Sequence, residues 1–259
     1  MARVRYARSP RESEDARNAR REKDEGFVRL LVGRYETDPE ALAAVVPRPL
    51  EAAPENEVEI VVATVGEGEL RRGSALIGVR VDYDGTAGVL PLSMPCDDAA
   101  AVVEARERFG EPRKQGTIDL VVDGDGVSAS VARRELLFLR AGGRQREELD
   151  RGAWASTSFS FKAFPAVDPA RDFDHDPQLV RSDWRFEPTT AVRLDGGIEL
   201  WDSPFDPIAD LPVRRLVDLR FAEGRYVRSA RVLRPVPGDW LWPFLHQRDD
   251  APGSEGVEV

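Results

Sequence analysis

Arg113 and Lys114 stand side by side just beyond Arg108-Phe109-Gly110-Glu111-Pro112, a segment that reads as the end of a helix. A lysine becomes a nucleophile when burial and a neighbouring cation disfavour its ammonium form, and Arg113 is such a neighbour for Lys114. The free amine can attack a carbonyl carbon, lose water and leave an iminium that serves as an electron sink. The plain alternative is two cations at the negative end of a helix dipole, worth about 0.3–1 kcal/mol. Lysine is scarce here: Lys23, Lys114 and Lys162 are the only three among 37 basic residues, which leaves 34 arginines and fits a GC-rich coding sequence.

Composition narrows the other chemistries. Cys96 is the only cysteine and His175 and His246 the only histidines, so neither an intramolecular disulfide nor a conventional Cys/His zinc site is available. No G-x-S-x-G occurs, and both histidines lie in Pro- or Asp-rich contexts, which disfavours a Ser-His-Asp hydrolase. A net charge of -10 with scattered arginines lacks the basic footprint of a nucleic-acid binder. No apolar run approaches the roughly 20 residues that span a bilayer, and no apolar signal segment opens the chain; a cytoplasmic protein without a membrane partner is expected.

The elements that must position Arg113 and Lys114 are mostly strands. Asp38-Pro39 starts a short helix that Pro47 ends, and Val58–Gly66 is rich in β-branched residues. Ser74–Leu92 reads as two strands around Asp84-Gly85, a hairpin signal. Asp97 is the expected cap of a second helix that stops at Gly110, with Pro112 two residues later. Strands follow around the Asp-Gly turns after Thr117, then in Ser158–Pro165, Ala191–Asp202 and Glu223–Pro235, while Leu211–Phe221 fits helix or strand. Many strands with two or three short helices imply a barrel-like or sandwiched antiparallel β domain.

Four segments, in order and spacing, resemble the acetoacetate decarboxylase superfamily over about residues 27–245. Tyr35-Glu36-Thr37-Asp38-Pro39-Glu40-Ala41-Leu42 with Val45-Val46-Pro47-Arg48-Pro49-Leu50-Glu51 resembles its Y-x-T-D-x-x-A-L...V-V-P-x-P-L-E. Ala105-Arg106-Glu107 followed by Gly110-Glu111-Pro112-Arg113-Lys114 resembles G-R-E...P-K-K. Phe161-Lys162-Ala163-Phe164-Pro165 resembles L-K-I-I-P, and Asp210-Leu211-Pro212-Val213 resembles D-L-P-V. The resemblance implies a mainly β fold, a barrel or cone of antiparallel strands with a few short helices. It also implies a small oxo acid as substrate and a homo-oligomer; no cofactor and no metal are expected. Residues 1–26 are expected to form a flexible charged arm, 27–246 a single decarboxylase-like domain and 247–259 a polar tail.

In the family the first lysine of P-K-K forms a Schiff base and the second is its cationic neighbour; the family is itself the standard example of that activation. Here Arg113 stands first and Lys114 second, and a guanidinium cannot form the imine. Glu59 matches the first of two family acids, whereas the second falls near Arg72, with no Glu from Arg71 to Arg80. The family's arginine falls nearest Val28; Arg29, one residue on, faces the other side of a strand.

Two readings remain open. In one, a Schiff-base lyase uses Lys114 as nucleophile with Arg113 as the perturbing cation, Glu59 to move protons, and Arg72 or Arg113 to hold the substrate carboxylate. It would cleave carbon-carbon or carbon-oxygen bonds. In the other, the scaffold binds small molecules or has a structural role without catalysis.

Overall fold

The computed structural model describes residues 7, 9–21, 24–68, 71–247 and 250. Helix α1 (Pro10–Arg21) lies within the arm expected over residues 1–26, and the first strand, β1 (Asp24–Glu36), begins before that arm was expected to end. There follow α2 (Pro39–Ala44), β2 (Glu51–Ala52), β3 (Glu57–Val65), β4 (Arg72–Tyr83), β5 (Thr86–Cys96), α3 (Ala99–Phe109) and β6 (Arg113–Gln115). The second half supplies β7 (Thr117–Asp123), β8 (Gly126–Arg133), β9 (Leu136–Glu148), β10 (Trp154–Lys162), β11 (Gln178–Leu200) and β12 (Arg215–Pro235). Among the described residues no helix is long and apolar enough to cross a membrane.

Seven strands close a barrel in the order β10-β5-β4-β3-β1-β12-β11, with β11 returning to pair β10. All its pairings are antiparallel except β10 with β5. The long strand β11 continues past the barrel into a second sheet, β11-β9-β8-β7, which folds back over β3 and β4. Where β11 pairs with β9, the backbones at Gly143 and Gly196 come so close that a Cβ on either would meet the facing main chain, and a Cβ on Gly142 would meet that of β8.

This arrangement buries both faces of the barrel wall, but differently. In β3, Val58, Ile60 and Val62 are fully buried and pack with Ile118, Val127, Val131 and Phe138 of the overlying sheet. Glu59, Val61, Ala63 and Val65 point the other way and line the lumen. A strand with apolar residues on both faces reads as a continuous apolar run, which is why 58–66 shows little alternation in sequence.

The turn chemistry follows the sequence in outline. Asp84 and Gly85, at φ 52° and 72°, make the expected hairpin between β4 and β5. Between β8 and β9 the turn falls on Arg134 and Glu135, at φ 48° and 66°, where neither residue type signals it. The cap of α3 is Asp98, whose carboxylate accepts from Ala100 N and Ala101 N; the expected Asp97 instead accepts from Gly73 N at 2.8 Å. Asp38 does not cap α2 with its side chain, because Arg214 grips both its oxygens at 2.8 and 2.7 Å. The Tyr35 hydroxyl donates to the Leu211 carbonyl at 2.9 Å. The Y-x-T-D and D-L-P-V segments therefore hold each other, outside the lumen.

Candidate active site

The barrel lumen is a cavity of about 850 Å³. Its wall comes from alternate residues of the barrel strands, and α3 lies over one end, contributing Ala105, Arg108 and Phe109. Gly110 ends α3 in the left-handed region, φ 72°, with its Cα against the Lys162 backbone, so that a Cβ there would clash with main chain. That turn sends Glu111 and Arg113 back into the barrel.

At this end Arg113 is tied down on several sides. Its Nε donates to Glu111 Oε2 at 2.8 Å and its Nη1 donates to Ser74 Oγ at 2.8 Å. The other Glu111 oxygen accepts from Arg228 Nη1 at 2.8 Å. Burial opposes the Glu111 charge, but Arg113 and Arg228 together more than offset it and hold the carboxyl below its ordinary range. The Arg228 guanidinium lies 3.5 Å from the Phe109 ring centroid and 4.8 Å from that of Trp184. Arg72 lines the same end, close enough that it and Arg228 favour ionisation of Tyr226 against burial and Asp24.

Glu59 lines the same cavity but not the same end. The ladder pairs Ala63 with Ser74 and Glu59 with Gly78, so Glu59 stands four residues along the wall from the Arg113 level, roughly 13 Å. Its neighbours are Arg80, with Nη1 3.8 Å from Glu59 Oε2, Arg34 and Arg220. Burial pushes the Glu59 carboxyl above its ordinary value of 4.5, against the pull of those three arginines. The unfolded chain therefore loses this proton at lower pH than the folded chain, and the site's contribution to stability falls as pH rises from 4.5 through the folded value. Glu59→Gln removes that dependence. The variant should match the wild type in urea unfolding below about pH 4 and gain on it as pH rises toward 8. A gap that stays constant across that range would mean that Glu59 ionises normally.

Lys114 is not part of the cavity. Successive residues of β6 face opposite sides of the wall, so Arg113 enters the lumen and Lys114 enters the layer between the barrel and the overlying sheet. There its side chain is 8% exposed and its ammonium lies 3.2 Å from Asp250 Oδ1. Asp250 also receives Arg133 Nη2, at 2.9 and 2.8 Å, and Arg134 Nε, at 3.1 Å. Arg133 Nη1 donates to Asp206 at 2.6 Å, and Asp206 accepts from Ser93 Oγ at 2.5 Å. Burial pushes Lys114 below its ordinary range, although Asp206 and Asp250 favour its charged form. Burial also opposes the Asp250 charge, yet Arg133 and Lys114 hold that carboxyl down, to about 2.

The four residues singled out in the sequence thus divide three ways. Arg72 and Arg113 share one end of the lumen, Glu59 lines its other end, and Lys114 lies behind the wall. Val28, the position expected to fall nearest the family's arginine, lines the lumen, while Arg29 pairs with Glu223 at 2.7 Å. No lysine among the described residues lines the cavity; Lys162 sits at the end of β10 with Nζ 5.7 Å from the Phe164 ring. Sequence reasoning passed over Arg228 and Glu111. Arg228 carries no local signal among 34 arginines, but Glu111, one residue before Pro112 in the recognised segment, was visible. Among the described residues no group of three or more His, Cys, Asp or Glu side chains is arranged to hold a metal ion.

Known proteins share this architecture. An acetoacetate decarboxylase structure from Legionella pneumophila superposes with a TM-score of 0.71 at 22% identity, over 82% of this chain and 87% of that one. The enduracididine biosynthesis enzyme MppR, solved with pyruvate, superposes with a TM-score of 0.69 at 16% identity, over 83% and 91%. In sequence, the acetoacetate decarboxylase of Burkholderia vietnamiensis is 29% identical over 199 residues, 74% of this chain and 79% of that protein. The acetoacetate decarboxylase (ADC) family model matches residues 8–235, from two residues before α1 to the last residue of β12, and so takes in the whole barrel and its covering sheet. The chain belongs to the acetoacetate decarboxylase family.

Proposed function

We propose that this chain carries out lyase-type chemistry of its family on a small oxo acid without forming an imine. The observation that carries the reading is Arg113, which occupies the place of the family's Schiff-base lysine, faces the lumen, and is fixed there by Glu111 and Ser74. A guanidinium keeps its proton and cannot condense with a carbonyl. It can stabilise negative charge that builds on a carbonyl oxygen as a carbon-carbon bond breaks or an α-proton leaves. Arg72, Arg113 and Arg228 together make this end of the lumen attractive to the substrate carboxylate, and Glu59, whose carboxyl burial holds above its ordinary range, is an acid available for proton transfer at the far end.

A lysine imine on Lys114 is the second reading, favoured by one observation: burial disfavours its ammonium form. It requires the amine to leave Asp250 and reach the other side of β6. Borohydride trapping with acetoacetate and with pyruvate, followed by peptide mass analysis, separates the two. The first reading expects no adduct on Lys114, together with carbon dioxide release or exchange of α-protons for deuterium. An adduct that disappears in Lys114→Ala would overturn it. Tight binding of an oxo acid with neither release nor exchange would leave a binding protein without turnover.

A further inference from the structure

Arg228 is the guanidinium in this barrel whose hydrogen bonding is least complete for its burial. It is 5% exposed and gives Nη1 to Glu111, but Nε and Nη2 are both buried without a hydrogen-bond partner among the described residues. These two donors form one edge of the guanidinium fork, the edge that matches the two oxygens of a carboxylate. Asp24 stands beside it, yet its Oδ2 is 3.7 Å from Nε, too far for a hydrogen bond, and its Oδ1 meets the Tyr226 hydroxyl only at 3.5 Å. Arg113, by contrast, is committed to Glu111 and Ser74. Phe109 and Trp184 hold the Arg228 plane, so the open edge keeps one direction.

The rest of the lumen sets the shape of what can lie beyond that edge. From this end toward Glu59 the wall is apolar, with Leu30, Val61, Ala63 and Val65, and Trp154 packs on Phe186 at 5.1 Å. A volume of about 850 Å³ falls in the range of roughly 300–1,000 Å³ that suits ligands of drug size, and a molecule of acetoacetate's size, with about seven heavy atoms, would leave most of it empty.

The geometry points to a carboxylate with an extended apolar or aromatic body as the ligand of this barrel. Its head is held bidentately by Arg228 Nε and Nη2, in the place that Asp24 fills loosely, and its body runs along the apolar wall toward Trp154 and Phe186. This deepens the function proposed above and rests on the same view that a carboxylate is drawn to the Arg113 end.

Calorimetric titration of the full chain with 3-phenylpropanoate, acetate and 3-phenylpropanamide tests it without any reactive carbonyl. The aryl carboxylate should bind at least about tenfold more tightly than either acetate or the amide. Arg228→Lys keeps the charge and loses the fork; it should weaken 3-phenylpropanoate about tenfold or more, while Arg72→Gln has a smaller effect. Ala63→Phe fills the wall and should abolish the preference for the aryl acid over acetate. Circular dichroism checks that each variant is folded, and the comparison of acid with amide on the wild type stands even if Arg228→Lys is not. Equal binding of acetate and 3-phenylpropanoate would overturn the apolar body. Equal binding of acid and amide, or a loss with Arg72→Gln alone, would overturn Arg228 as the anchor. Aryl-acid binding that depends on Arg228, with no turnover of any oxo acid, would sink the lyase reading and leave this one standing.

Discussion

Asp206→Ala lowers the free energy of unfolding by about 3–5 kcal/mol, the cost typical of removing one partner from a buried ion pair. Asp206 is 3% exposed and Arg133 4%, and they meet at 2.6 Å in the layer between the barrel and the covering sheet. The substitution leaves the Arg133 guanidinium in that layer with Asp250 as its remaining carboxylate and leaves the Ser93 hydroxyl without its acceptor. The loss comes from the surplus positive charge of Lys114, Arg133 and Arg134 left around one carboxylate, and not from the intrinsic strength of the bridge. Replacing both residues together, Asp206→Leu with Arg133→Met, should therefore recover a large part of it. Urea unfolding of the single and double variants reads both numbers. A single-variant loss below about 1 kcal/mol would show that water satisfies the freed Arg133 Nη1, and that the layer is less dry than its packing implies.

Arg113→Lys should create a trappable amine where the wild type has none. The position faces the lumen, burial disfavours a charge there, and Arg228 adds repulsion on one side. Glu111 works in the opposite direction, since its carboxylate stabilises an ammonium 2.8 Å away as it now stabilises the guanidinium. With acetoacetate and borohydride, the adduct on that position should exceed the wild-type background at least about tenfold and should rise with pH, as the amine is freed from Glu111. Adding Glu111→Gln should move the rise to lower pH, because the stabilising carboxylate is gone and Arg228 remains. A variant that folds and binds acetoacetate yet gives no adduct at any pH would show that this end of the lumen does not present a carbonyl carbon to position 113.

The fold was legible because its signals were local. The Asp84-Gly85 turn, the capped helix ending at Gly110 and the β-branched run through β3 each declare an element within a dozen residues. The misplaced caps were errors of one residue or of partner. Asp97 and Asp98 are chemically equal in sequence, and only the approach of Gly73 in three dimensions assigns one of them elsewhere. The site was less legible because its geometry depends on the parity of a three-residue strand. Read as a helix end, Arg113 and Lys114 look like partners; read as β6, they face opposite sides of a wall. The gap between Glu59 and Arg113 is likewise a matter of register between β3 and β4, which residue types do not encode. Arg228 lies 115 residues beyond Arg113 in the chain, and nothing short of the closed barrel brings them to one glutamate.

The barrel wall is one strand thick, and each strand therefore answers to two masters. In β3 the even-numbered positions build the dry layer that holds the covering sheet, and the odd-numbered ones meet whatever enters the lumen. Reactive groups can be exchanged on the inner side without disturbing the apolar layer on which folding depends. A fold of this kind can keep its architecture while the groups that face its lumen change.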